Sequence, residues 1–180
     1  MKPKLFLTAD EHYIHHNIIH HCDRPWKTLH AMHSALIERH NNVVSSDDTV
    51  FHIGDYAFAS TQDYQKVRKL FKQLNGRHHL ILGNHDEIKP FNYVKMGFTT
   101  VHTALWQTWG DINFVMAHDP AVYTAMDDGV LLCGHIHKLW KTIPEHHGVL
   151  QVINVGVDVW NYTPVLLDDI IALVEKRKNQ

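Results

Sequence analysis

The chain has 180 residues, 44% of them apolar, and a formal net charge of −2. This length predicts one domain over residues 1–180 with a sizeable core, and the charge balance gives no strong signal for nucleic-acid binding. No apolar run approaches transmembrane length, and the first apolar stretch is too short for a signal peptide, so we expect no membrane association and a cytoplasmic location. The two cysteines, Cys22 and Cys133, do not suggest a disulfide framework, and Cys133 in an apolar run is expected to be a buried small residue.

Apolar periodicity predicts alternating strands and helices in the first half of the chain and mainly strands in the second. In chain order the predicted elements are a strand over 4–9, a helix over 28–44, a strand over 49–53, a helix over 60–74, a strand over 79–82, a short helix over 89–96, strands over 100–109, 113–117, 130–133 and 149–157, and a helix over 166–176. This order favours two sheets packed face to face with helices outside. Periodicity alone establishes only α/β character.

Polar blocks follow five of the apolar runs. They are Asp10-Glu11-His12, Gly54-Asp55, Gly83-Asn84-His85-Asp86, His118, and Gly134-His135-Ile136-His137. In α/β folds, ligands bind in the crevice at the carboxyl ends of strands, so five blocks in these positions indicate one shared site.

The types of side chain in these blocks suit a metal site. Asp10 and His12 are two residues apart, and on a strand such residues project to the same side, so both can reach one cation. His135 and His137 have the same spacing. Asp55 comes from a separate strand, and its two carboxylate oxygens can bridge cations roughly 3.5–4 Å apart, as in two-metal hydrolases. Glu11 lies between two candidate ligands and is expected to face away.

The five blocks, in this order, resemble the signature of the calcineurin-like metallophosphoesterases, and two further segments resemble a small bacterial or phage-type branch. The resemblance implies a four-layer α/β/β/α sandwich of two mixed β-sheets flanked by helices. It also implies two divalent cations that share Asp55. Their implied ligand sets are Asp10, His12, Asp55 and His137 for one, and Asp55, Asn84, His118 and His135 for the other.

This resemblance implies a hydrolase in which metal-activated hydroxide attacks a phosphate ester. His85 is the predicted general acid or phosphate-stabilising group, and Asp86 is its predicted orienting partner. We expect Mn²⁺, while Fe, Zn, Ni and Co also suit such ligands. Ligand histidines must be neutral to bind metal, so activity is expected to fall through about pH 6.5 and below.

Several functions stay open at this point. A phosphodiesterase acting on a small phosphate ester, such as a nucleotide derivative, is favoured. A phosphomonoesterase or nucleotide pyrophosphohydrolase on the same site is the alternative. A non-catalytic scaffold is less favoured because every metal position and His85 are present, and a DNA nuclease is disfavoured by the charge balance. Neither the oligomeric state nor the native metal follows from the sequence.

The remaining signals are weaker. Arg24 is expected near the substrate phosphate because a guanidinium pairs bidentately with phosphate, although a surface turn is an equal alternative. There are 18 histidines, and most exceed what one bimetallic site uses. The i, i+4 spacing of His12, His16 and His20 favours a loop and helix turn near the site over a second metal site. Eight further histidines are expected to be surface or structural residues: His30, His33, His40, His78, His79, His102, His146 and His147.

Overall fold

Two five-stranded mixed sheets form the centre of the structure, a computed structural model that describes residues 2–122, 129–143 and 151–178. The strands are β1 (Leu5–Thr8), β2 (Thr49–Ile53), β3 (Arg77–Ile81), β4 (Thr100–His102), β5 (Ala104–Trp109), β6 (Ile112–Ala117), β7 (Val130–Cys133), β8 (Thr142–Ile143), β9 (Gln151–Asn154) and β10 (Val165–Leu166). The first sheet has the order β10-β1-β2-β3-β4, and the second has the order β5-β6-β7-β9-β8. Strands β1 to β4 run parallel, as do β6, β7 and β9, so two sets of carboxyl ends are available for a site.

Five α-helices accompany the sheets in the part of the chain that the structure describes. They are α1 (Ile18–His21), α2 (Leu29–Val43), α3 (Tyr64–Phe71), α4 (Pro90–Met96) and α5 (Leu167–Lys178). Helix α2 begins at a capping residue, because the Thr28 hydroxyl accepts a hydrogen bond from the Ala31 N–H at 3.2 Å. The predicted helix over 60–74 starts as a 3-10 turn at Thr61–Asp63, capped by Ser60, and continues as α3.

One large hydrophobic core lies between the two sheets. Along β7, Val130 and Leu132 pack into the cluster shared with the first sheet, whereas Leu131 and Cys133 face the other side of the second sheet. This alternation follows from the two-residue period of a strand, and both faces are buried because each is covered. Cys22 and Cys133 are both buried free thiols, which confirms the predicted burial of Cys133.

Helices cover the other face of the first sheet. Met32 and Leu36 of α2 and Val67 of α3 are buried in a cluster that also contains Leu80 of β3. Ile170 of α5 packs instead into the core between the sheets. The predicted class, an α/β fold of two mixed sheets flanked by helices, is therefore confirmed. Within the described ranges, the helices are all too short or too polar to cross a bilayer.

Two strand predictions need correction, and two short strands were missed. The predicted strand over 100–109 is two strands, because the chain leaves the first sheet after β4 and enters the second as β5. The predicted strand over 149–157 is described only from residue 151, and as β9 it ends at Asn154 before a 3-10 turn at Val157–Val159. The short strands β8 and β10 were not predicted, since two residues carry no recognisable period. His146 and His147 lie outside the described residues.

Candidate metal centre

The predicted metal ligands lie together in two adjoining groups. Asp10, His12 and His137 form the first, and Asp55, His118 and His135 form the second; within each group the ligand atoms all lie within 4.8 Å of one another. The groups meet at Asp55, whose Oδ2 lies 3.5 Å from His12 Nε2 and 3.2 Å from His118 Nε2.

Asn84 lies at the edge of the second group. Its side-chain oxygen is 3.0 Å from His135 Nδ1. The arrangement therefore adds a neutral amide oxygen beside His135 to a group that also holds His118 and Asp55, which is a donor set suited to borderline divalent metals.

Five of the candidate ligands have a left-handed backbone. Their φ angles are 58° at Asp10, 53° at His12, 53° at Asp55, 71° at His135 and 46° at His137. Left-handed non-glycine residues are uncommon and cost free energy, and they concentrate at functional sites. The expectation that each pair of ligands projects from one side of a strand is wrong, because β1 ends at Thr8 and β7 at Cys133. The ligands converge because the loops after these strands turn sharply.

The Asp10 carboxylate lies close to the backbone of two glycines, Gly134 and Gly156. Its Oδ1 accepts a hydrogen bond from the His135 N–H at 3.0 Å. A Cβ at Gly134 would lie 2.8 Å from Asp10 Oδ2, and one at Gly156 would lie 2.5 Å from it. Burial raises the pKa of Asp10 to about 6.

Hydrogen bonds behind two imidazole rings select the nitrogen that faces the cluster. His118 Nδ1 donates to the Ile53 carbonyl at 2.9 Å, and His137 Nδ1 donates to Asp158 at 3.1 Å. Each ring therefore turns its Nε2 towards the other ligands.

The charges around these rings perturb their acidity. Burial opposes protonation of His118, but Asp55 and Asp10 outweigh it and raise its pKa to about 9. Burial also opposes protonation of His137, yet Asp158 raises its pKa to about 10. Burial lowers the pKa of His12 to about 2, so this ring is neutral. Burial would raise the pKa of Asp55, but His118 and His12 hold it below its usual value.

Arg24 does not face the cluster, which corrects its predicted role in binding phosphate. It is only 4% exposed, and its guanidinium pairs with both oxygens of Asp158 at 2.9 Å. Its remaining donors bind the carbonyl oxygens of Asp10 at 2.7 Å and Glu11 at 3.0 Å. Since these partners occupy the guanidinium, Arg24 positions the Asp10 loop and Asp158.

The predicted role of Asp86 as the orienting partner of His85 is also corrected. Asp86 is buried, and its carboxylate accepts hydrogen bonds from Gly83 N–H, Ala57 N–H and Tyr93 O–H at 2.9, 3.2 and 3.1 Å. These bonds hold the loop over 83–86 against the segment after β2. Burial raises the pKa of Asp86 to about 7.

His85 itself lies at the cluster. Its N–H donates to Asp55 Oδ1 at 2.9 Å, and its ring centroid is 5.5 Å from that of His12. The half-buried ring borders an open cleft of about 650 Å³. It is therefore placed to meet a molecule that approaches the ligands from the cleft.

Three buried ligand atoms lack a hydrogen-bond partner within the described ranges. They are Asp10 Oδ2, His12 Nε2 and His118 Nε2. Buried polar atoms without partners cost free energy, so their presence in both ligand groups fits the binding of cations there. Both groups supply the mixed oxygen and nitrogen donors that divalent transition metals prefer.

Behind the cluster, Glu11 faces away from the ligands, as expected. Its carboxylate lies 2.6 Å from His52 Nδ1, and His52 Nε2 lies 2.9 Å from His78 Nδ1. His40 is buried beside them and hydrogen-bonds the Asn75 carbonyl at 2.8 Å. These histidines are structural, as predicted for His40 and His78.

Other histidines lie outside the two groups. Helix α1 carries His20, and His16 precedes it; both are exposed, and neither belongs to a ligand group within the described ranges. The interpretation of this run as a loop and helix turn agrees with the structure.

Sequence reasoning missed Asp158 and Cys22 as neighbours of the first group. Both lie within 4.8 Å of His137. Asp158 lies in one of the two segments that resemble the bacterial or phage-type branch, residues 154–161, and this resemblance was the sequence signal for a role near the site. Because Arg24 already holds Asp158, we assign it to orienting His137.

Comparison with known proteins identifies two relatives by sequence. The uncharacterized protein MJ1445 of Methanocaldococcus jannaschii is 34% identical over 178 residues, which cover 97% of this chain and 93% of that protein. The gene 66 protein of Mycobacterium phage L5 is 30% identical over 168 residues, which cover 78% of this chain and 80% of that protein.

A solved structure has the same fold. The Aquifex aeolicus protein of unknown function AQ665 is 21% identical and aligns with a TM-score of 0.74 over 96% of this chain and 100% of that chain. No family model matches the chain.

The alignment with MJ1445 covers nearly all of the chain, including the motif blocks from Asp10 to His137. The alignment with the phage protein covers most of the chain. The five motif blocks meet at the strand ends of the two sheets, and six of their candidate ligands form two adjoining groups. The chain therefore belongs to the same family as these archaeal and phage proteins.

Proposed function

We propose that the chain is a metal-dependent hydrolase of phosphate esters, with phosphodiesters as the preferred substrates. The observation that carries the proposal is the shared position of Asp55 between two groups of ligands, 3.5 Å from His12 and 3.2 Å from His118. A carboxylate between two sets of nitrogen donors is the arrangement that two-metal hydrolases need.

The ligands would be divided as the sequence suggests. Asp10, His12 and His137 would hold one cation, and Asn84, His118 and His135 the other, with Asp55 between them. The chemistry that such a pair supplies when bound is neutralisation of charge on the phosphate and a lowered pKa for bound water. The donor set suits several divalent metals, and availability decides among them. We propose Mn²⁺ as one cation that this donor set can bind.

His85 is the proposed catalytic residue of the chain itself. The ring borders the cleft beside the ligands, while its backbone N–H is fixed on Asp55. From there it can hold a phosphate oxygen or give a proton to the departing alcohol. Asp86 supports this position through the loop rather than through the ring.

The test is hydrolysis of bis-p-nitrophenyl phosphate beside p-nitrophenyl phosphate by metal-stripped protein titrated with Mn²⁺. We expect turnover only with metal, faster on the diester, and a loss of at least 100-fold in kcat for His85→Ala. The matched control is His30→Ala, an exposed histidine on α2 outside the cluster.

Different outcomes separate the alternatives. Faster turnover of the monoester would favour a phosphomonoesterase, and cleavage of nucleoside diphosphates alone would favour a pyrophosphohydrolase. No turnover of any substrate with several metals, together with tight binding of a protein partner, would favour the scaffold.

A further inference from the structure

An apolar side chain is exposed at the cleft that opens onto the ligand cluster. Phe58, five residues after the end of β2 in the loop that carries Asp55, is 43% exposed and lines the same cleft as His12, His85 and His135. Exposed apolar surface inside a concave site with polar groups nearby is the usual composition of a ligand pocket.

The Phe58 ring is held in place by its neighbours. Its backbone N–H donates to the Tyr13 carbonyl at 3.0 Å, next to a short parallel bridge between Tyr13 and Ala57. The ring stacks on His15, with centroids 4.4 Å apart and planes at 22°, and it lies 5.0 Å from the His85 ring at 67°. Because His15 covers one face of Phe58, the exposed surface is preorganised for another flat partner.

The second sheet adds another apolar side chain to this cleft. Leu139 is 79% exposed, and its N–H donates to the Ile136 carbonyl at 3.1 Å in the loop that also carries His135 and His137. Apolar surfaces from the loops after β2 and β7 thus border the same cleft, beside the candidate ligands.

We propose that Phe58, His15 and Leu139 form an aryl subsite, which binds the aromatic group of a phosphate ester while the cluster binds its phosphate. The aromatic group can be a nucleobase or a simple aryl ring, since both present a flat π face. The inference deepens the proposed function and depends on it for the phosphate end. The cleft of about 650 Å³ has the size usual for small-molecule sites.

The subsite is tested by binding rather than by turnover. Thymidine 5′-monophosphate, phenyl phosphate and methyl phosphate are titrated calorimetrically into Mn²⁺-loaded protein. Stacking on an aromatic side chain predicts that at least one aromatic phosphate binds about 5- to 150-fold tighter than methyl phosphate. Phe58→Ala should abolish this ratio without changing the affinity for methyl phosphate, and Phe58→Tyr should retain it.

Phe91→Ala is the matched control, because Phe91 is 66% exposed on α4 and does not line the cleft. Equal preference for both aromatic phosphates would assign a general aryl subsite, and tighter binding of the thymidine compound would assign a nucleobase subsite. Equal affinity for all three phosphates, a ratio that survives Phe58→Ala, or no binding of any of them would overturn the inference. Turnover of bis-p-nitrophenyl phosphate, measured on the same protein, tests the proposed hydrolysis separately: an intact aryl preference without turnover would overturn only the hydrolysis.

Discussion

His118 and His137 are the residues whose protonation governs this cluster. Each donates from Nδ1 to a fixed acceptor and turns Nε2 inward, beside carboxylates that favour the imidazolium. Their raised pKa values, about 9 and about 10, mean that the metal-free cluster holds a proton in each ligand group at neutral pH. A cation therefore has to displace these protons.

This displacement predicts a metal affinity that rises with pH. Below pH 9 both rings are protonated, so binding should release about one proton per cation, and each affinity should increase by up to about tenfold per pH unit between pH 7 and 9. Protons and metal compete for these rings, so when metal is limiting the activity should already fall at a pH above 6.5. Titrations of Mn²⁺ between pH 7 and 9 measure the change in affinity. Titration at pH 7.5 in two buffers of different ionisation enthalpy measures the protons released. An affinity independent of pH over this range would contradict the prediction.

Asp158 is the residue that orients His137, and Asp158→Asn should weaken the first ligand group. The substitution removes the negative charge beside His137 Nδ1 and leaves only a weaker amide acceptor, and outer partners of this kind contribute about 10- to 100-fold in metal affinity. It also leaves the buried Arg24 unpaired, which should lower the free energy of unfolding by about 3–5 kcal/mol. Metal titration and urea unfolding measure the two effects. Asp168→Asn, on the exposed start of α5, should change neither, and an unchanged metal affinity in Asp158→Asn would contradict the role of Asp158.

At the scale of elements, the cluster depends on two loops that touch. The loop after β3 approaches the loop after β2 so closely that a Cβ at Gly83 would lie 2.2 Å from Asp55 Oδ1 and 2.3 Å from Asp55 N. His85 N–H binds the same carboxylate oxygen. Only glycine permits this contact, because the neighbouring atoms belong to backbone and to the shared ligand.

Gly83→Ala should therefore displace Asp55. We expect a loss of about 1–3 kcal/mol in the free energy of unfolding from the overlap and at least tenfold weaker Mn²⁺ binding, since Asp55 adjoins both ligand groups. Gly110→Ala is the control, because its φ of 60° carries a backbone cost but no atom lies within 4 Å of the new Cβ. Equal metal affinities in the two variants would show that Asp55 does not depend on this contact.

The elements also explain which parts of the site could be predicted. Polar blocks after apolar runs indicated a shared crevice correctly, because the ends of parallel strands meet at one edge. The left-handed turns at Asp10 and His135 could not be predicted, since local sequence does not specify a loop held by contacts with the other sheet. Arg24 was misassigned because its partner Asp158 lies 134 residues away. The division of the strand over 100–109 left no local signal, because both halves share the same β propensity.

At the scale of the whole molecule, the two ligand groups join two sheets. His12 and Asp10 follow β1 of the first sheet, whereas His137 follows β7 of the second. The backbone also connects the sheets here, through a parallel bridge between Ala9 and Gly156 and a hydrogen bond from Val157 N–H to the Ala9 carbonyl at 2.9 Å. A cation held in the cluster would connect elements that are distant in the chain. This connection would exist only in the folded state.

Metal binding should therefore stabilise the folded chain as a whole. A ligand that binds only the folded state at 100 times its Kd contributes about 2.7 kcal/mol per site, and in a protein of this size each kcal/mol raises Tm by about 2–4 °C. One occupied group should thus raise Tm by about 5–11 °C, and EDTA should reverse the shift. Differential scanning calorimetry measures it on wild type, on Asp55→Asn and on the exposed control Asp168→Asn. The shift should shrink in Asp55→Asn because both groups lose the shared charge, and should persist in Asp168→Asn. An identical Tm with and without Mn²⁺, at concentrations where calorimetric titration detects binding, would mean that the cation binds the unfolded chain equally well, which contradicts a site that exists only when the two sheets are folded together.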